Sequence, residues 1–167
     1  MNEPVWEEIA NERYEDFWGP FDARFEFGAR HQKPGSRILE PIPSVTFDLS
    51  PLFTDSPVTF AAGQAAVNAV ALFAMTQAFP AGERLLALDW QHVSHWYWPH
   101  RRAVAEDEIP PIDVFPNGDF YVFLTEDMTE GTFGHPWERT LCVFGPRLMP
   151  RLVPLLAGWL PIRRSAS

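Results

Sequence analysis

Disulfide chemistry is the first thing this sequence leaves out. Its 167 residues include one cysteine, Cys142, so no internal bridge can form and the chain fits a reducing compartment, the cytoplasm. Cys142 stands between Leu141 and Val143, the setting of a buried, inert thiol and not of a nucleophile. Basic residues are scarce as well. Thirteen Lys and Arg against 22 Asp and Glu give a net charge of −9, which repels phosphate backbones and anionic bilayers and argues against nucleic acid or membrane as a partner. The acids gather early, at Glu3, Glu7, Glu8, Glu12, Glu15 and Asp16; a secretory leader would begin with basic residues instead. The glycine-rich loops that cradle phosphates and the elbow that presents a nucleophilic serine have no match either. No cofactor is expected.

One long stretch lacks charge altogether. Between Asp55 and Glu83 there is none, a length able to span a bilayer. Yet Gln64, Asn68, Gln77 and Gly63 interrupt it and its apolar residues are mostly Ala, which predicts a helix buried in protein. What the chain has in plenty is hydrophobic content, 46% with 7 Trp and 14 Phe, alongside 17 Pro and 10 Gly. Such a composition predicts a single globular domain over 1–167, with a real core and short elements.

Periodicity supplies the elements. Trp6, Ile9, Ala10, Tyr14 and Phe17 fall at helical spacing and predict a helix over 3–18, capped by Asn2, with Pro4 in the first turn and Gly19-Pro20 as its stop. Phe21, Phe25 and Phe27 suggest an extended continuation, and 29–40 a loop. Ser44–Leu49 alternates as a strand with Val45, Phe47 and Leu49 on one side. Asp55 or Ser56 then caps a long Ala-rich helix with Pro57 at its first position, ending near Pro80-Ala81-Gly82. Arg84–Trp90 is a nearly continuous apolar strand, covered on both faces. Residues 101–111 read as an exposed connection and Ile112–Phe115 as a short edge strand. After the Asn117-Gly118 turn, Phe120, Val122 and Leu124 alternate in a strand. A long loop carrying Gly134-His135-Pro136-Trp137-Glu138 leads to the partner strand Thr140–Phe144. From Arg147 to Leu160 the pattern is helical, with Pro150 and Pro154 each expected in the first turn of a short helix, and Arg163-Arg164 a solvated end. The fold class is α+β: a mainly antiparallel sheet of about five strands, packed against the Ala-rich helix and terminal helices. The strand–helix–strand run over 44–90 leaves room for one parallel crossover.

Candidate chemistry concentrates in two stretches. His135 with Glu138 suggests a general base and its orienting carboxylate, with Asp89 or Asp119 as acid. His92, Trp90, Asp119, Tyr121 and Trp137 are candidate ligand-binding residues, the aromatic rings offering flat stacking faces, and Gly131 and Gly134 room for close approach. The competing explanation is structural: His and Glu at strand ends satisfy buried backbone, and Trp fills core. Trp96, Tyr97 and Trp98 divide in the same way between a groove and the core. His92, His95 and His100 match no zinc framework, and His92 and His95 would point to opposite faces of an extended segment; no metal is expected.

The motifs DWQH (Asp89–His92), GDFYVFL (Gly118–Leu124) and GTFGHPWERTLCVFG (Gly131–Gly145), with PSVTFDLS (Pro43–Ser50), resemble a bacterial family known as domain of unknown function 2716. The resemblance implies a small intracellular bacterial protein with no assigned activity or catalytic residues. An aromatic often stands in that family where this chain has His95. Two functions remain open on the residues: a non-enzymatic binding module, immunity-like or ligand-binding, taking a protein partner or a small polar ligand; or an enzyme for a small polar substrate built around Asp89, His92, His135 and Glu138. An acidic surface suits a basic partner.

Overall fold

The computed structural model describes residues 3–27, 38–105 and 109–167. Asn2 and the part of the expected loop up to residue 37 lie outside them. Eight strands occur among the described residues: β1 (Trp6–Glu8), β2 (Ser44–Asp48), β3 (Leu85–Asp89), β4 (His95–Tyr97), β5 (Tyr121–Thr125), β6 (Gly131–His135), β7 (Thr140–Phe144) and β8 (Ile162–Ala166). They form one sheet in the order β1-β4-β3-β5-β6-β7-β2-β8, and every neighbouring pair is antiparallel. Four α-helices accompany it: α1 (Tyr14–Phe25), α2 (Pro57–Ala78), α3 (Pro99–Arg102) and α4 (Met149–Ala157). The protein is α+β, with eight strands where about five were expected.

Period-two alternation sorts the side chains into two cores. On one face Val45, Phe47, Leu85, Ala87, Phe123, Leu141 and Val143 meet Val67, Ala71, Ala74 and Met75 of α2 and Leu152 and Leu156 of α4. On the other, Leu86, Leu88, Val122, Leu124, Phe133, Cys142 and Phe144 meet Phe17, Trp18, Phe21 and Phe25 of α1. β3 is buried along its whole length, as a strand covered on both faces must be. β2 and β3 point the same way although joined by α2. Three antiparallel strands, β5, β6 and β7, lie between them, so the crossover adds no parallel pair.

α2 begins as its residues dictate. The Ser56 hydroxyl accepts from Thr59 N at 3.3 Å and Pro57 takes the first helical position. Ser56→Ala is expected to cost about 1 kcal/mol, read as a lower denaturant midpoint with unchanged slope. The helix is long and apolar enough to cross a bilayer by length and composition. Only one side of it is buried here; Val58 and Phe73 stand exposed.

Several local expectations are overturned. Residues 3–18 are not one helix: β1 pairs with β4, and α1 starts at Tyr14 and runs through Pro20. A proline inside a helix costs about 3 kcal/mol, but Phe17, Trp18, Phe21 and Phe25 bury four large rings along one stripe of α1. Pro154 likewise sits inside α4 while Leu152 and Leu156 are buried. Ile112–Phe115 is not a strand. It packs beneath α2 as loop, with Phe115 N donating to Asn68 Oδ1 at 2.9 Å. The long loop before Thr140 contains a further strand, β6. Gly131 and Gly134 make room for neighbouring chain and not for a ligand: a Cβ at Gly131 would collide with the Phe123 carbonyl, and one at Gly134 would meet the Pro116 side chain at 2.9 Å. Arg163 and Arg164 lie on β8.

Candidate functional site

Register brings the candidate residues to one end of the sheet. Asp89, the last residue of β3, pairs with Tyr121; Tyr121 pairs with Gly134; and His135 pairs with Thr140. Two groupings result at that end.

The first is Asp89, His92 and Asp119. Leaving β3, the chain turns because the Asp89 carboxylate accepts from the backbone N–H of Gln91 (3.1 Å) and His92 (3.2 Å), the local bonding that favours Asp at turns. Ser94 closes the turn, its hydroxyl accepting from Asp89 N at 3.2 Å. The turn aims His92 Nδ1 at both Asp89 oxygens, at 3.1 Å, and at Asp119 Oδ2, at 3.7 Å. Asp119 accepts from Phe120 N (2.7 Å) and Gln91 N (3.1 Å). Both Asp residues are buried while the His92 ring is exposed. Burial, and then the Asp89 carboxyl beside it, push Asp119 up to about 6. Tyr121 is pushed up to about 12 by burial and then by the two carboxyls. One donor atom from each of the three residues lies within 4.8 Å of the others, close enough to share one ion. Among the described residues neither carboxylate has a Lys or Arg partner.

The stretch that borders this grouping is rich in acids, with Arg13 paired to Asp16. Ile9 N donates to Ser94 O at 2.8 Å, and Ile9, Ala10, Asn11 and Tyr14 share a small cleft with His92 and Ser94. Burial raises the Tyr14 phenol, helped by Glu15 and by Asp119. Glu7, Glu8, Glu12, Glu15 and Asp16 on the same stretch are all exposed.

The second grouping surrounds His135. Its buried ring stands edge-on to Phe120 at 4.7 Å, and Nδ1 accepts from the backbone N–H of Glu138 at 3.1 Å. The Glu138 carboxylate does not orient that nitrogen. It accepts from Thr140 Oγ1 (2.9 Å) and from both terminal nitrogens of Arg164 (2.8 Å each). Burial pushes Glu138 upward, but those bonds win and hold it at about 2. Arg164 also binds Glu40. His135, Glu138, Thr140, Cys142 and Arg164 line a cavity of about 590 Å³ whose lining includes none of Asp89, His92 and Asp119. Burial pushes the Cys142 thiol up to about 12.

Of the other candidates, Trp90 is half-buried beside Phe120 and Trp137 is exposed. Trp96, Tyr97 and Trp98 are core. The three histidines diverge: His95 is buried edge-on to Trp6, and His100 Nε2 meets Phe79 O at 2.7 Å. Sequence reasoning missed Ser94, Tyr14 and Arg164. Only Ser94, a small hydroxyl five residues past the Asp, carried a local signal of a closed turn.

Comparison with known proteins gives three findings. A family model described as "Protein of unknown function (DUF2716)" matches residues 8–149. The "Uncharacterized protein YxiI" of Bacillus subtilis (strain 168) is 33% identical over 156 residues, covering 86% of this chain and 90% of that protein. No solved structure matches.

Proposed function

Because this chain belongs to the DUF2716 family, whose description assigns it no activity, we propose from the site's chemistry that it is a non-enzymatic binding module. Its recognition centre is Asp89–His92–Asp119, and it takes a basic side chain of a protein partner. One observation supports this reading: two buried carboxyls lie together with no Lys or Arg against them among the described residues, only the exposed His92 ring, and the neighbouring stretch over 7–16 carries exposed acids. Buried like charges destabilise each other and raise a pKa until a cation arrives. A partner Lys or Arg would restore both ionised carboxylates, and the neighbouring acids would steer it in. A partner with a basic working face, such as one that handles nucleic acid, has that chemistry.

Calorimetric titration with an arginine-rich peptide, at low and at high salt, tests this. The double variant Asp89→Asn/Asp119→Asn is expected to lose at least about tenfold in affinity. Glu15→Gln/Asp16→Asn removes the same charge from the neighbouring stretch and should lose much less. Equal losses in the two variants, or no binding by the wild type, would overturn the reading.

A second reading is favoured by the Asp119 carboxyl near 6, where a group serves well as general acid or base. In that enzyme the proton carriers are Asp119 and His92, since Glu138 is held by Arg164 and Thr140.

A further inference from the structure

The end of the sheet that gathers Asp89, His92 and Asp119 has donor atoms of two kinds. Two carboxylates and one imidazole nitrogen converge there, all within 4.8 Å of one another. His92 Nδ1 lies 3.1 Å from each Asp89 oxygen and 3.7 Å from Asp119 Oδ2. Ligands bonded at about 2.0–2.1 Å to a tetrahedral ion stand roughly 3.3 Å apart. The observed spacing is already close to that of a coordinated set.

Three features separate this set from an ordinary acidic patch. The first is burial. The Asp89 and Asp119 side chains are 5% and 6% exposed, and no Lys or Arg pairs with either among the described residues. Buried carboxylates need a counter-charge that water cannot supply. The second is fixed aim. Gln91 N and His92 N hold Asp89 Oδ1, Phe120 N holds Asp119 Oδ1 and Gln91 N reaches Asp119 Oδ2. A carboxylate oxygen has about two acceptor sites, so Asp89 Oδ2 and Asp119 Oδ2 keep lone pairs for an ion. Such outer contacts orient the ligands of metal sites. The third is access. The His92 side chain is 70% exposed, so an ion can enter beside it and keep water where the protein supplies no ligand.

The donor types choose the ion. Magnesium and calcium take oxygen ligands, whereas an imidazole nitrogen suits zinc and its first-row neighbours. We propose that Asp89, His92 and Asp119 form a divalent transition-metal site, with zinc the best-fitting ion. Asp89 Oδ2, Asp119 Oδ2 and His92 Nδ1 bind it, and water completes the shell. The ring proton of His92 then sits on Nε2. No short motif announces this set, because Asp119 stands 30 residues beyond Asp89 and arrives through the pairing of β3 with β5. The proposal shares with the recognition reading only the uncompensated carboxyls and needs no protein partner. An ion and a basic side chain would claim the same oxygens, so the two would exclude each other.

Calorimetric titration of the untagged full chain with zinc chloride near pH 7.5 tests this. One ion per chain is expected, with a dissociation constant below about 50 μM. Magnesium and calcium should bind at least about tenfold more weakly. His92→Ala and Asp119→Asn should each weaken zinc by about tenfold or more, while Glu15→Gln/Asp16→Asn should change it less than about twofold. Circular dichroism reports whether each variant folds, and the exposed His92 decides the matter if Asp119→Asn does not. The proposal is overturned by no saturable zinc binding, by calcium binding as tightly as zinc, or by unchanged affinity in His92→Ala. A loss in Glu15→Gln/Asp16→Asn as large as in His92→Ala would also overturn it, assigning the ion to the acidic surface at large. The arginine-peptide titration is run without metal, so the failure of one reading is distinguishable from the failure of the other.

Discussion

Asp119→Asn is expected to make the protein more stable at neutral pH, by roughly 1–3 kcal/mol. In the folded protein the Asp119 carboxyl is raised from 3.8 to about 6 by burial and by Asp89. A carboxyl raised on folding binds its proton more tightly in the native state. Its favourable contribution is therefore greatest at low pH, falls away as pH climbs from about 4 to about 6, and leaves a net penalty above that window. Asparagine removes the penalty. Its oxygen can keep the bond from Phe120 N while its amide donates to Asp89, and Gln91 N retains Asp89 as acceptor. Urea denaturation of both proteins across pH 4 to 8 checks this. The difference between them should open over that window and stay constant above it. A variant less stable than wild type at pH 7.5 would show that the two carboxyls do not oppose each other. The expectation ties stability to the proposed recognition of a basic side chain, since a pair of carboxyls that oppose each other gains most from a cation placed between them.

Glu130→Ala is expected to do the reverse, and more severely. Glu130 is buried after β5, and its carboxylate accepts from Arg147 N (2.7 Å) and Leu148 N (3.1 Å) while pairing with the Arg147 guanidinium. Arg147 in turn holds Glu83 at 2.8 and 3.0 Å. This one side chain ties the β5–β6 turn to the start of α4 and, through Arg147, to the approach to β3. Truncation leaves two backbone donors and an arginine without their acceptor, which costs about 3–5 kcal/mol. At typical urea slopes that lowers the midpoint by about 1–3 M. Glu130→Gln keeps an oxygen for the backbone donors and should lose about half as much. Equal losses in the two variants would assign the whole effect to the charge and none to the backbone acceptors or packing.

The elements legible in the sequence were those whose signals are local. Ser56-Pro57 marks the start of α2 because capping is decided within one turn. Alternation in Ser44–Asp48 and Tyr121–Thr125 marks strands because side chains on a sheet change face every second residue, and the short continuous apolar run in Leu85–Asp89 marks one covered on both faces. What could not be read was decided by partners far along the chain. Trp6–Glu8 has a helical pattern, yet it pairs with Tyr97–His95. Arg163 and Arg164 look like a solvated end until β2 and Glu138 are in place. Pro20 reads as a stop, but four aromatic side chains hold α1 together through it.

For the site, Asp89 and His92 were legible together because an Asp-x-x-His turn is local. The arrival of Asp119 depends on β3 pairing with β5, which no short motif announces. His135 and Glu138 were legible as neighbours but not as to what each binds. The guanidinium that claims the Glu138 carboxylate comes from β8, 26 residues on.

The two outermost strands are also the most exposed, and they carry charge of opposite sign: Glu7 and Glu8 on β1, Arg163 and Arg164 on β8. Just inside them lie β4, fully buried, and β2, mostly so. Charged edges deter the stacking of one sheet onto another. Trimming either margin would uncover a greasy strand with open hydrogen-bonding groups, so for a truncated form the hazard is clumping rather than simple unfolding.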